Sequence, residues 1–259
     1  MDKFFLWYLR SILKVKTTTA NNIVWGETGC TPLSVSCNVK VFCYYNRLRN
    51  LPDTMLVKRA FIQLYALQEQ GFQTWVGKVW ELAHKSNFNL HDVNRENFKK
   101  ICKEHMHDQF VQNWKSQIHN LAINPILRTY TTFKDDFLLE TYLDTVKDTR
   151  YRIAISRFRA SSHSLEIERG RYSNINRHDK LCKLCKTVDD EKHFFFNCTV
   201  NRHERQIFFS KVHSKCLNLS NLDQDNQFIF IIKHQDPQIL TWLGKFLYTS
   251  FKTRDEFYQ

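Results

Sequence analysis

Four residues of metal-binding types lie within one short stretch, in the order Cys182, Cys185, His193 and Cys198. Two cysteines separated by two residues can bring both sulfurs to one point through a tight turn. A histidine after seven intervening residues and a third cysteine after four more intervening residues can complete the tetrahedron that zinc prefers. Three thiolates and one imidazole leave no open coordination position, so the pattern predicts a structural zinc ion and not a catalytic one.

Two alternatives to this ligand set remain open. His178 or His203 can replace His193, although their offsets suit a compact loop less well. The cysteines can also be ordinary buried residues with no metal. Four lysines near the motif can offset the negative charge of a zinc ion that carries three thiolates, and they are Lys180, Lys183, Lys186 and Lys192.

Positive charge concentrates around this motif. Residues 150–215 contain 15 Lys and Arg against 7 Asp and Glu, so 15 − 7 gives +8 of the chain's net charge of +12. A cationic block of this kind favours a polyanionic partner, and the RNA or DNA backbone is the commonest. A solvated face on a basic protein is the plainer alternative.

The basic block predicts specific nucleic-acid contacts. A helix over about 148–162 places Tyr151, Ile155 and Phe158 on an inward face, so its arginines are expected to point outward. In the basic turn that follows, Gly170 can bring the backbone close to a phosphate and an aromatic can stack on a base. The candidate binding residues are Arg150, Arg152, Arg157, Arg159, His163, Arg169, Arg171, Tyr172, Lys183 and Lys186. For His163 and Tyr172, a helix-end residue and a core aromatic are the competing interpretations.

Composition bounds the fold and the compartment. The 259-residue chain is 42% hydrophobic but has only 6 Gly and 4 Pro, and this scarcity of turn residues favours helices. We therefore expect a mostly α fold, a helical array with a small CCHC zinc-binding module. Five of the eight cysteines lie outside the motif with irregular spacing, which favours a reducing intracellular location, cytoplasm or nucleus. No apolar run reaches the roughly 18 residues of a membrane span.

Local signals place the elements. Asp53 and Thr74 can each cap a helix, and Asn94 can cap a long one over about 95–121. Residues 17–29 are expected to form a loop. Pro32 can open the next helix, and the β-branched residues of 34–44 make a strand the alternative there. The expected division is a helical domain over 1–145, the basic helix with the zinc module over 146–217, and C-terminal helices over 218–259.

Several segments share their combination of motifs with one known family. They are the arginine helix at 150–163, the basic turn at 167–172 and the CCHC motif with Glu191-Lys192-His193-Phe194, preceded by similar blocks at 26–33, 71–75 and 127–134. Together they resemble the region after the polymerase in LINE-type (non-LTR) retrotransposon reverse transcriptases. That family binds zinc through Cys-x2-Cys, an acidic stretch, His-Phe/Leu and a final Cys, and all four ligand positions match. The resemblance implies a protein that helps place template RNA and target DNA for target-primed reverse transcription.

A polymerase active site is not expected in this chain. The family's polymerase holds two metal ions with carboxylates on a palm sheet and carries a Phe/Tyr-x-Asp-Asp turn. The similar string Phe133-Lys134-Asp135-Asp136 has a charge where the family has a small apolar residue. We expect Asp135 and Asp136 to start a helix, where acidic residues favour the N-terminal dipole. The chain resembles a C-terminal remnant of such an element, and no enzymatic activity is expected.

Two other interpretations remain from the sequence. The chain can be a zinc-stapled helical scaffold for protein–protein interaction, whose basic surface meets an acidic protein. It can also be a relic reading frame without function. The residues suggest neither a small-molecule substrate nor a membrane partner, and they leave the oligomeric state open.

Overall fold

The fold is mostly helical, as the composition predicts. The computed structural model describes residues 1–90, 97–122, 127–170 and 175–258, and within these ranges there are two isolated β-bridges but no β-strand. The α-helices are α1 Asp2–Leu13, α2 Asn21–Thr28, α3 Leu33–Arg49, α4 Leu56–Glu69, α5 Trp75–Lys85, α6 Phe98–His119, α7 Thr141–Thr145, α8 Thr149–Arg159, α9 Glu166–Arg169, α10 Arg202–Lys215, α11 Gln224–Ile232 and α12 Pro237–Phe257. None of these helices has the length and apolar character needed to cross a membrane.

The structure of two N-terminal segments differs from one prediction and decides between the alternatives of another. Residues 17–29 do not form only a loop, because they contain α2, which buries Ile23, Val24 and Trp25. These apolar residues are consecutive and show no helical period, so the pattern gave no sign of the helix. Residues 34–44 lie inside α3, so the strand alternative is wrong; tertiary packing of this helix overrides the propensity of its β-branched residues.

The helix caps predicted from the sequence are confirmed only in part. The Thr74 hydroxyl accepts a hydrogen bond of 3.4 Å from the Gly77 amide at the start of α5, as expected. Asp53 is not the cap of α4, because Met55 occupies that position. Asn94 lies outside the described residues. Asp135 and Asp136 do not start a helix, since α7 begins only at Thr141, and Asp135 instead accepts a hydrogen bond of 2.6 Å from Lys233.

The chain forms two compact units that differ from the expected division. The N-terminal unit comprises residues 1–5 and 31–116, and the C-terminal unit comprises residues 6–30 and 117–259. The boundary expected near residue 145 therefore falls inside the C-terminal unit. Local composition could not reveal this, because residues 6–30 join that unit through contacts more than a hundred positions away, such as Glu27 with Arg159.

The N-terminal unit has its own apolar core. Helices α3, α5 and α6 and the segment after α5 bury residues that include Phe42, Tyr45, Val76, Val79, Phe88 and Cys102. Helix α4 buries only Phe61, and the apolar stripe of Leu56, Ala60, Leu64 and Leu67 on this helix is exposed.

Aromatic rings fill the core of the C-terminal unit. Phe158 of α8 meets Phe194 and Phe195 from the segment between Cys185 and Cys198, with ring centroids 5.9 and 6.2 Å away. Phe194 in turn stacks on Phe251 of α12 at 4.3 Å. Helices α8 and α12 approach closely at Gly244, where an added Cβ would lie 2.6 Å from Tyr151. This core fixes the metal-ligand segment against α12.

Candidate metal centre and its basic surroundings

The first two ligand residues lie in a tight hairpin. An isolated bridge joins Leu181 to Val188, and the amide of Cys182 donates to the Thr187 carbonyl over 2.8 Å. The turn closes with a 3.0 Å hydrogen bond from the Lys186 amide to the Cys182 carbonyl. Lys186 has a φ of 54°, a left-handed conformation that lets the chain reverse within so few residues. This hairpin turns the thiols of Cys182 and Cys185 toward one point.

A helical turn positions the other two ligands. Asp190 accepts a 3.0 Å hydrogen bond from the His193 amide, and a single turn of π-helix runs over His193–Asn197. The amide of Cys198 then donates to the His193 carbonyl over 2.8 Å. His193 and Cys198 are thus held at the two ends of one turn.

All four predicted ligands converge. One ligand atom from each of Cys182, Cys185, His193 and Cys198 lies within 4.8 Å of the others, so the cluster can hold a metal ion. His178 and His203 are exposed and do not belong to the cluster, which removes the alternative ligand sets.

The environment of the imidazole fits a metal ligand. Nδ1 of His193 lies 3.0 Å from the Thr187 hydroxyl, while Nε2 is buried and has no hydrogen-bond partner among the described residues. When Nδ1–H donates to Thr187, Nε2 carries the free lone pair. A hydrogen bond to the far nitrogen is the usual device that orients a metal-binding histidine and fixes its tautomer. The orphaned nitrogen would otherwise be a costly buried polar atom.

The thiols differ in acidity when no metal is bound. Burial alone would raise the pKa of Cys182, but hydrogen bonds from the Tyr258 hydroxyl and the backbone amides of the hairpin lower it to about 6. Burial, together with the neighbouring thiols Cys182 and Cys185, raises the pKa of Cys198 to about 12. A metal ion that binds all three as thiolates must therefore displace a proton from Cys198 at neutral pH, and its affinity falls as the solution becomes acidic.

An arginine near the C-terminus completes the site. Arg254 of α12 is buried, and its Nη1 lies 3.6 Å from the Cys198 sulfur and 4.0 Å from the Cys182 sulfur. Its Nη2 forms an ion pair with buried Asp189, which also accepts a hydrogen bond of 2.8 Å from the Glu166 amide. Burial alone would lower the pKa of Arg254, but the charge of Asp189 raises it above its usual value. The arginine thus offsets thiolate charge directly, a role expected of nearby lysines.

Sequence reasoning missed Arg254. It lies 56 residues after Cys198 on a helix whose pattern predicts only packing, so no local signal connects it to the motif. Closer in sequence, the Thr199 amide donates to the Cys185 sulfur over 3.4 Å.

Replacing Arg254 with Gln should weaken both the fold and the metal site. Asp189 would be left as a buried charge without its partner, which costs about 3–5 kcal/mol in comparable pairs. Loss of the donor to two thiolates should reduce metal affinity by roughly 10–100-fold, as for other partners of metal ligands. Chelator competition and thermal denaturation measure the two effects. Lys245→Gln, at an exposed position of the same helix, is the control, and equal metal affinity in both variants would contradict the role of Arg254.

The structure separates the candidate nucleic-acid residues into two groups. Five are exposed, namely Arg150, Arg157, Arg169, Lys183 and Lys186. Arg152 is half-buried and donates to the Val146 carbonyl over 3.2 Å. Arg171 and Tyr172 lie outside the described residues.

Arg159 and His163 do not lie on the surface. Arg159 is 2% exposed and forms ion pairs of 2.8 Å with Glu27 and Glu140, so the expectation that it points outward is wrong. Its position four residues after Ile155 already places it on the inward face of α8. His163 is 5% exposed, and its Nε2 lies 3.3 Å from buried Glu191. The competing interpretation of His163, a helix-end residue that bonds carbonyls, is also wrong, because its ring lies against the Glu191 carboxylate.

Comparisons of this chain with known proteins identify no relative. No protein-family model matches the chain, and neither the curated proteins nor the solved structures contain a significant match.

Proposed function

We propose that this chain is a zinc-stabilised protein that binds the backbone of RNA or DNA, related to the C-terminal region of LINE-type reverse transcriptases. The observation that carries the proposal is the convergence of three thiols and an imidazole, with Nε2 of His193 buried and free. The exposed arginines and lysines on the same unit supply the charge that a polyanion requires.

The donor set favours zinc over other metals. Sulfur and imidazole ligands suit zinc, whereas magnesium and calcium prefer oxygen ligands. Four protein ligands close the coordination sphere, so the ion would hold the segment together without activating water. The chain would then contribute binding and not catalysis.

The zinc would act by fixing the basic surface. The ligand segment packs through Phe194 on Phe158 of α8 and on Phe251 of α12. A metal-bound segment therefore holds α8, with exposed Arg150 and Arg157, in one orientation relative to Lys183 and Lys186. Contacts of this type reach phosphates and carry little sequence information.

Binding to nucleic acid should depend steeply on salt. We expect the purified, zinc-loaded protein to bind a fluorescein-labelled 15-nucleotide single-stranded RNA, and the equivalent DNA, with an affinity that falls as salt rises. Four phosphate contacts would give a slope of about −3 in a plot of log K against log salt, at roughly −0.7 for each contact on a single strand. Fluorescence anisotropy between 50 and 200 mM KCl measures this, and affinity that is absent or insensitive to salt would contradict the proposal.

One observation favours the scaffold as a second candidate. The apolar stripe of α4 is exposed, with Leu56 at 81% and Leu67 at 40%. An apolar helix face of this kind suits a protein partner. Changing Leu64 and Leu67 to Glu should abolish such an interaction and leave RNA binding intact.

A further inference from the structure

A large cavity lies in the C-terminal unit between α8 and α12. Its volume is about 960 Å³, within the roughly 300–1,000 Å³ typical of ligand sites. Residues from distant parts of the sequence line it, including Lys16 near the N-terminus, Arg157 on α8, Arg169 on α9 and Lys252 on α12. No local sequence motif predicts this cavity, because its lining comes from separate segments of the chain.

The lining carries excess positive charge. Five cationic side chains contribute to it, namely Lys16, Arg150, Arg157, Arg169 and Lys252, against the two carboxylates of Asp255 and Glu256.

Part of this charge is already compensated. Arg150 pairs with Asp148 at 2.8 Å, Arg169 approaches Glu166 at 3.6 Å and Lys252 approaches Glu256 at 3.7 Å. All three pairs are substantially exposed, so each is worth little and can be exchanged for a phosphate.

Two of the cations form no ion pair with a carboxylate of the described residues. Among the described residues, neither Lys16 nor Arg157 has a carboxylate within ion-pairing distance. Lys16 donates from Nζ to the His163 carbonyl over 3.0 Å, and Arg157 donates from Nε to the Lys14 carbonyl over 2.8 Å. These bonds fix both side chains while their charge stays available to an anion.

One ring nitrogen of a buried histidine in the lining also lacks a hydrogen-bond partner among the described residues. His163 is held by Glu191 through Nε2 and stacks on Phe251 at 6.0 Å, yet Nδ1 is buried with no hydrogen-bond partner among the described residues. A buried polar atom left in this way is costly unless something bonds to it. An oriented imidazole beside unpaired cations is therefore a second and independent sign of a ligand.

Aromatic rings complete the lining. Tyr248 and Phe251 of α12 are half-buried there, and Tyr248 already carries the Arg150 guanidinium over its ring at 5.6 Å. Proteins that bind single-stranded nucleic acids combine aromatic faces with cations, because bases stack on the rings while phosphates pair with the charges.

We infer that this cavity seats a phosphate-containing segment of single-stranded nucleic acid, with Arg157, Lys252 and His163 as contact residues. The inference rests on the proposed nucleic-acid binding and specifies where it occurs. The binding surface is then not the arginine helix alone, because the site also includes lining residues near both ends of the chain, such as Lys16 and Lys252.

A matched pair of double variants tests this placement. Arg157→Gln with Lys252→Gln removes two cations from the lining, and Lys211→Gln with Lys245→Gln removes two exposed cations outside it. With the labelled 15-nucleotide RNA, we expect the first pair to weaken binding by about tenfold or more at low salt and to reduce the salt slope by about 1.4, roughly 0.7 for each contact. The second pair should change affinity less than about threefold.

The outcomes separate this inference from the proposed function. If the unaltered protein does not bind the RNA, the proposed function fails and the inference fails with it. If the unaltered protein binds but the two double variants weaken binding equally, binding stands and the cavity is not the site. An unlabelled duplex that competes as well as the single strand would also overturn the assignment.

Variants of His163 test the unpaired nitrogen separately. His163→Gln keeps an amide near the position of Nε2, where it can still bond to Glu191, and removes Nδ1. We expect weaker RNA binding with a melting temperature close to that of the unaltered protein. RNA affinity unchanged in His163→Gln would remove the histidine from the proposed contacts.

Discussion

Replacing Cys185 with Ser is expected to remove the metal and to lower the free energy of unfolding of the C-terminal unit. Cys185 is only half-buried, so the substitution deletes a ligand with little change in packing. We expect a loss of about 3 kcal/mol or more, below the roughly 10–16 kcal/mol of isolated zinc-finger peptides, because this segment also packs on α12. Hydrogen exchange should show the cause directly, since the amides of Cys182 and Cys198 would lose protection.

A chelator and a matched cysteine make the test specific. Cys216 is also half-buried but lies outside the cluster, so Cys216→Ser should retain metal and stability. Chelator treatment should destabilise the unaltered protein to the level of Cys185→Ser and should leave that variant unchanged. A chelator that destabilises Cys185→Ser as much as the unaltered protein would show that the metal binds elsewhere.

Replacing Arg159 with Ala should destabilise the C-terminal unit by about 3–5 kcal/mol, because Glu27 would remain as a buried, uncompensated charge. Arg159 contacts both carboxylate oxygens of Glu27 at 2.8 and 3.0 Å and also donates to the Ile232 carbonyl over 2.8 Å. Burial alone would lower the pKa of Arg159, but Glu27 and Glu140 raise it above its usual value. The guanidinium therefore stays charged and joins α2, α8 and the end of α11.

The neighbouring Arg157 provides the contrast. It is exposed and its side chain donates only to the Lys14 carbonyl, so Arg157→Ala should change stability by less than about 1 kcal/mol. Chemical denaturation of both variants measures the difference. Equal effects of the two substitutions on stability would contradict the assignment of Arg159 to the interior.

The candidate metal centre could be predicted from the sequence because its ligands are close together in the chain. Spacing alone places Cys182 and Cys185 in one turn and makes His193 a plausible partner, and the structure brings all four ligand residues together. Arg254 could not be predicted in this way, since tertiary folding brings it to the sulfurs from the far end of the chain.

The helical spacing of the arginine helix already indicates that one of its arginines faces inward. Tyr151, Ile155 and Phe158 define its inward face, and a residue four positions after Ile155 shares that face. The same geometry places Arg157 on the opposite side, in agreement with its exposure. The helical fold could be predicted from composition, but α2 could not, because its buried residues are consecutive and its contacts are distant in sequence.

Metal analysis combined with zinc X-ray absorption tests the central proposal most directly. The purified protein should contain about one zinc ion per chain, with three sulfur ligands at about 2.3 Å and one nitrogen at about 2.0 Å. The Cys185→Ser variant should contain almost none. A folded protein without metal, or a zinc ion bound mainly by oxygen, would contradict the proposed zinc site.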